Sequence, residues 1–195
     1  MVSVQESIVC DQTAAHVANL VARLQPLNVR VERVSDGTAA ATFLTKVATE
    51  IGAPGFVVSS ELTSAAPGLM AALTVAGVAW LNPADVSATR DAPLGVSLAS
   101  LAVAETGSVM LAEATLTDRA VGMLTKTHVI LVRTGTIVPS LDEAGEALKA
   151  HALRPGGGYA SLVTGPSRTA DIELSLSLGV QGPERVYVLV VDELS

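Results

Sequence analysis

The chain has 195 residues, enough for one domain with a sizeable core; 49% are hydrophobic but only 3% are aromatic. A formal net charge of −7 and a pI near 4.9 argue against nonspecific nucleic-acid binding. The single cysteine, Cys10, excludes an internal disulfide and a self-contained iron–sulfur cluster, which takes about four thiolates, and histidines at 16, 128 and 151 offer no zinc spacing.

A core of Val, Leu, Ile and Ala fits a parallel sheet covered by helices better than an all-β fold. Ala14, Val17, Leu20, Val21 and Leu24 recur at helical spacing until Pro26 stops the pattern. Val29, Val31 and Val34 read as a strand. Ala40, Phe43, Leu44, Val47 and Ile51 mark a second helix with Gly52 as its C-terminal cap. Phe56 to Ser59 is a buried strand, a helix follows over about 67–76, and Val78 to Leu81 is the next strand. This β-α-β-α-β rhythm predicts a mostly parallel, right-handed sheet. The uncharged run Leu62 to Ala84 contains Pro67, Gly68 and Gly77 and has no basic flank, so it reads as helix plus strand and not as a membrane span. The first residues lack the basic and apolar regions of a signal peptide.

Asn82 to Pro93 is a loop. Ser97 is expected to cap a short helix reaching Val103, and Ser108 to Ala112 to form a strand. Asp118 to Leu124 reads as a helix and His128 to Arg133 as a strand, which Thr136 to Val138 continues or pairs beside. His128, at the head of an apolar strand, is read as a hydrogen-bonded structural residue. Ser140 and Glu143 form a capping box, and the helix they start is expected to turn Leu141, Ala144 and Leu148 inward, with Lys149 and His151 at its end. Pro155 and the glycines at 156–158 form a connector before a strand over Tyr159 to Val163. Ile172 to Val180 alternates apolar and polar, Gln181-Gly182-Pro183-Glu184 is a turn, and Arg185 to Val191 is another strand, so the chain is predicted to end in a β-hairpin. No repeat appears, and residues 1–195 read as one domain.

Three stretches carry chemistry. In Thr164-Gly165-Pro166-Ser167-Arg168-Thr169-Ala170-Asp171 a strand gives way to two hydroxyls, a guanidinium and a carboxylate. This is either an anion site or a helix cap with a surface salt bridge at Arg168. In Ala104-Glu105-Thr106-Gly107-Ser108, Glu105 is placed either as a base or covalent nucleophile, or as a partner of Arg119 or a turn cap. Gly179-Val180-Gln181-Gly182-Pro183 is either a third wall of the site or a hairpin turn. No Ser-His-Asp set, P-loop or GxGxxG is present.

In chain order, Ala104-Glu105-Thr106-Gly107-Ser108, Ile137-Val138-Pro139, the stretch from Thr164 to Glu173 and Gly179-Val180-Gln181-Gly182-Pro183 resemble the LutC/YkgG family of lactate-utilisation proteins, the LUD domain. The match in motif detail covers about residues 90–192, and Gly165-Pro166-Ser167-Arg168-Thr169-Ala170-Asp171-Ile172-Glu173 is its most specific part. The resemblance implies a fold like that of the NagB/RpiA/CoA-transferase superfamily. It also implies a cytoplasmic protein acting with two iron–sulfur partner proteins in oxidising L-lactate to pyruvate. The chain itself would be a partner-dependent component that holds no cofactor or metal alone, the iron–sulfur clusters lying in the partners. A small anionic ligand would then meet Thr106, Gly107, Ser108, Arg119, Gly165, Ser167, Arg168, Thr169, Asp171, Gln181 and Gly182. The alternative implied by the superfamily is a small CoA-transferase-like enzyme with Glu105 as nucleophile. The sequence departs from the family pattern at Gln181, where the family usually has His and so a group that titrates near neutrality. It departs again at Met123-Leu124-Thr125, where the family tends to have Leu-Leu-Pro.

Overall fold

A computed structural model describes residues 4–90, 92–154, 158–169, 177–179 and 182–195. In chain order the elements are α1 (Val4–Leu24), β1 (Arg30–Asp36), α2 (Gly37–Glu50), β2 (Gly55–Val58), α3 (Ser60–Ala65), α4 (Pro67–Val75) and β3 (Ala79–Leu81). They continue with β4 (Leu94–Leu98), β5 (Leu101–Val103), β6 (Ser108–Leu111), α5 (Leu116–Leu124), β7 (Thr127–Arg133) and β8 (Ile137–Val138). The last are α6 (Leu141–Ala152), β9 (Ser161–Val163), β10 (Arg168–Thr169), β11 (Ser177–Leu178) and β12 (Arg185–Glu193).

The centre is a six-stranded sheet in the order β1-β12-β7-β4-β2-β3, with every pairing parallel. Its middle strands read as continuous apolar runs because both faces are covered. Val129 and Leu131 of β7, with Leu189 and Val191 of β12, pack against Phe43, Leu44 and Val47 of α2 and Leu69 and Leu73 of α4. Ile130 and Val132, with Val186, Val188 and Val190, face the other way onto Leu20 and Leu24 of α1 and onto a second sheet. That sheet has four strands, β8-β5-β6-β9, and supplies Ala102, Ala104, Val109 and Leu111 to the shared core. Among the described residues no helix is long and apolar enough to cross a membrane.

Local chemistry fixes the helices that matter for the site. One Asp36 oxygen accepts Thr38 N–H and Ala39 N–H, both at 2.9 Å, and starts α2. Ser59 caps α3, and Thr115 Oγ1 accepts Asp118 N–H at 3.0 Å to cap α5. Gly95 lets α5 lie close on β4: a Cβ there would meet Val121 O at 2.6 Å.

Two expectations change. Leu94–Leu98 is a fully buried central strand, so Ser97 does not cap a helix; its hydroxyl is used by other buried groups. Leu141 and Leu148 are 46% and 42% exposed, and only Ala144 of the expected trio is buried, because α6 covers the outer face of the small sheet, at Leu101, Val103 and Met110, rather than the main sheet. The C-terminal strand pair is present as antiparallel β10 and β11. β12 leaves that ribbon and enters the main sheet between β1 and β7, where its unbroken apolar run is buried on both faces. The alternating stretch 172–180 lies largely outside the described residues.

Candidate functional site

The two N-terminal motif residues with hydroxyls meet the Gly-Pro-Ser-Arg turn. Thr106 Oγ1 donates to Ser108 Oγ at 2.9 Å, and Ser108 Oγ shares a hydrogen bond with Thr164 Oγ1 at 2.7 Å. Gly107, at φ +75°, passes so close to α1 that a Cβ would meet Arg23 Cβ at 2.8 Å. Ser167 N–H donates to Pro183 O at 3.0 Å, so the turn containing Gly182 lies against Ser167. Glu105 points elsewhere: a carboxylate oxygen accepts Leu141 N–H at 3.1 Å, holding the first turn of α6 beside the Ser140 cap. Ser140 Oγ also donates to Glu143, closing the capping box.

Arg168 is exposed and donates to Leu27 O at 3.0 Å. It lines a groove of about 440 Å³ with Leu27, Asn28, Pro166, Glu184 and Arg185. Leu27 and Asn28 immediately precede β1, and Glu184 precedes β12, so this groove lies at the N-terminal ends of the parallel strands. Thr169 contributes its backbone to β10, whereas Asp171 and Gln181 lie outside the described residues.

A larger cleft, of about 590 Å³, opens at the other end, where β2 runs into α3. In open α/β sheets the carboxyl ends of the strands are the usual ligand edge. Ser60, Glu61, Thr115, Asp118, Arg119, His151, Arg154 and Tyr159 line it. Asp118 organises its floor: it is 4% exposed and accepts Ser60 N–H at 2.6 Å, Ser60 Oγ–H at 2.5 Å and Thr115 Oγ1–H at 2.7 Å. Burial works against its charge, but the hydrogen bonds from Ser60 and Thr115 outweigh burial and hold the carboxyl below its usual range. Arg119 is fixed from three sides. Its Nε donates to Glu113 O at 3.2 Å, one Nη donates to Ala114 O at 3.4 Å, and its Cζ stacks 4.2 Å from the centre of the Tyr159 ring. A His151 ring nitrogen lies 3.2 Å from Tyr159 O, tying α6 to the same wall.

Behind the cleft, between Ala112 and Ala114 of its lining, Glu113 is 4% exposed. Ser97 Oγ donates to Glu113 Oε1 at 3.4 Å, and His128 Nε2 lies 3.0 Å from the same Ser97 hydroxyl. Burial, reinforced by the nearby Asp118 charge, pushes Glu113 up to about 7. Burial also pushes His128 down to about 4, so the imidazole is neutral at physiological pH. Glu61 is raised too, by burial first and by Asp118 second, while Arg133, Arg154 and His151 oppose the rise. A fixed guanidinium can bind a carboxylate, and two carboxyls raised by burial, Glu113 to about 7, can hold or release a proton next to it.

Of the residues assigned from sequence, Arg119 lines this cleft; the other described ones cluster around the hydroxyl chain and the opposite groove. Sequence reasoning missed Ser60, Glu61, Glu113, Asp118, His151, Arg154 and Tyr159. One signal was legible: Thr115 and Asp118 have the spacing of a capping pair, and Glu113 and Arg119 flank them. Among the described residues no three His, Cys, Asp or Glu side chains gather to hold a metal ion.

Residues 17–191 match the model of the LUD domain family. Lactate utilization protein C of Geobacillus kaustophilus is 34% identical over 119 residues, covering 57% of this chain and 49% of that protein. Protein YkgG of Escherichia coli is 29% identical over 172 residues, covering 84% of this chain and 74% of its own length. The chain thus spans about half the length of the lactate utilization protein C relatives it matches, 49% in one and 47% in that of Bacillus mycoides. A crystal structure of a DUF162 family protein from Deinococcus radiodurans shares the fold, with a TM-score of 0.63 at 22% identity over 92% of this chain and 98% of that one. With nearly the whole chain inside the family model, and the ordered motifs in place, this protein belongs to the LUD domain family.

Proposed function

We propose that this chain is a component of a lactate-utilisation system that acts with two iron–sulfur proteins in oxidising L-lactate to pyruvate, and that it binds a small anionic ligand in the cleft of Asp118 and Arg119. The observation that carries the ligand is the immobilised Arg119. Its guanidinium is clamped by two backbone carbonyls and the Tyr159 ring on the wall of a cleft that Arg154 also lines. A guanidinium held in place before binding loses little freedom when it pairs with a carboxylate. The names of the relatives support the pathway, and one cysteine cannot ligate a cluster, which directs the electron-transfer centres to partners. Cytoplasmic placement follows from the same reading.

Titration calorimetry with pyruvate and L-lactate, against the uncharged lactamide, tests the ligand. Binding of both acids that Arg119→Gln abolishes is the expected result; equal binding in that variant removes the cleft from the reading. Oxidation of lactate by the purified chain with an artificial acceptor and no partner would end the accessory role. The CoA-transferase alternative requires a hydroxylamine-sensitive acyl adduct on Glu105, whose carboxylate here holds Leu141 N–H.

A further inference from the structure

We propose that the cleft selects a monocarboxylate over a dianion, and that Glu113 takes up a proton when the ligand binds. The inference rests on the ligand reading above and deepens it. Its basis is the charge set around the cleft. Three carboxylates, Glu61 on α3, Glu113 on the β6–α5 connection and Asp118 on α5, stand within electrostatic reach of one another. Facing them are Arg119 on α5, Arg154 beyond α6 and Arg133 at the end of β7, which acts on Glu61. With every carboxylate ionised the three guanidiniums balance them. A bound monoanion leaves one negative charge uncompensated, and a dianion leaves two.

Glu113 is the group placed to absorb the first. It is almost wholly buried, its one side-chain hydrogen bond among the described residues is the long contact from Ser97, and Arg119 gives its Nε proton to the Glu113 backbone carbonyl rather than to the carboxylate. Asp118 and Glu61 face Glu113 with like charge, and neutral His128 stands behind Ser97. Asp118 cannot take the proton as easily, because three hydrogen bonds already stabilise its anion. An anion arriving at Arg119 adds to the field that already favours the protonated form of Glu113. Binding and protonation therefore help each other, as linkage requires.

The test is titration calorimetry of the full chain with pyruvate, in two buffers of different ionisation heat at about pH 7, 7.75 and 8.5, with oxalate at each pH, and inorganic phosphate at about pH 8.5, as dianion probes. The expected result has three parts: proton uptake with pyruvate, affinity falling up to about tenfold per pH unit above neutrality, and both dianions binding at least about tenfold more weakly. In Glu113→Gln the uptake and the pH slope vanish while pyruvate still binds. In Ser97→Ala, which removes the hydrogen bond favouring the Glu113 anion, the slope moves to higher pH. A slope that survives in Glu113→Gln belongs to another group, such as His151 or Glu61, and overturns the proposal while the ligand reading stands. Oxalate or phosphate binding as tightly as pyruvate overturns the selectivity. No binding of any carboxylate at any of these pH values overturns the ligand reading and this inference with it.

Discussion

The two ends of the parallel sheet carry opposite kinds of polarity. At the N-terminal end, the Gly165–Thr169 turn is dense in hydroxyl and charged residues, yet Arg168 is exposed and its observed partner is a backbone carbonyl. At the C-terminal end, the cleft residues are scattered from Ser60 to Tyr159, yet Asp118 and Glu113 are buried and their hydrogen bonds cross three elements. Density of functional groups along the chain and density in space are different quantities. Burial, which sequence spacing does not encode, decides how strongly a charge is felt.

The sharpest way to break this contrast is Asp118→Ala. The substitution leaves Ser60 N–H, Ser60 Oγ and Thr115 Oγ1 without their charged acceptor at the start of two helices. A loss of about 2–4 kcal/mol is expected. In a thermal melt that is a fall on the order of 5–15 °C for a domain of this size. Because the folded state holds this carboxyl below its unfolded value, the stabilisation is present above the unfolded pKa and is lost as pH falls through the folded one. The wild type should therefore lose more stability than the variant on acidification below about pH 4. Identical acid limbs would show that the hydrogen bonds do not favour the anion.

Glu113→Gln should act in the other direction. The folded protein holds this proton up to about 7 while the unfolded chain releases it near the ordinary glutamate value. The stability contributed is therefore full below about pH 4.5 and is lost as pH rises through about 7. Relative to wild type, the variant should gain up to about 3 kcal/mol between pH 4.5 and 8. Urea titrations at the two pH values read the difference, and a constant offset between wild type and variant would mean that Glu113 ionises normally.

The fold was legible because its signals are local. The helical spacing from Ala14 to Leu24, the apolar runs of β2, β7 and β12 and the Ser140 cap each state their structure within a dozen residues. Residues 97–103 were misread because Ser97 ahead of an apolar run looks like a helix cap, whereas Ser97 sits in a buried strand, where it bridges two buried side chains while Gly95 admits α5. Arg119 was read both as a ligand contact and as a possible partner of Glu105; the structure pairs each of those two side chains with backbone groups instead. Glu113 gave no signal beyond its place beside the Thr115–Asp118 pair. Its environment is built by residues 97, 118 and 128, and only the folded chain places a second carboxylate beside it.

Ser108→Ala probes the hydroxyl chain that joins the two motif regions. Ser108 is buried and bonded to both Thr106 and Thr164. Its removal should cost about 1–2 kcal/mol without altering pyruvate affinity. A denaturant titration and a binding titration on the same sample separate the two effects. Loss of pyruvate binding in a folded Ser108→Ala would move the ligand to the motif side of the molecule.

Arg168→Ala should have the smallest effect on stability and gives the most direct comparison of the two ends. An exposed guanidinium donating to Leu27 O contributes under about 1 kcal/mol, within the range of ordinary surface substitutions. If the cleft is the ligand site, pyruvate affinity is unchanged in Arg168→Ala and lost in Arg119→Gln. The reverse pattern would return the ligand to the N-terminal edge, where the Ser167 and Arg168 side chains and the Gly165 backbone would have to hold it. That outcome would also mean that the buried Glu113 and Asp118 serve packing alone. Their pH-dependent stability would then remain as predicted while every effect on binding disappeared, so the melt and the titration, run on the same variants, separate architecture from recognition.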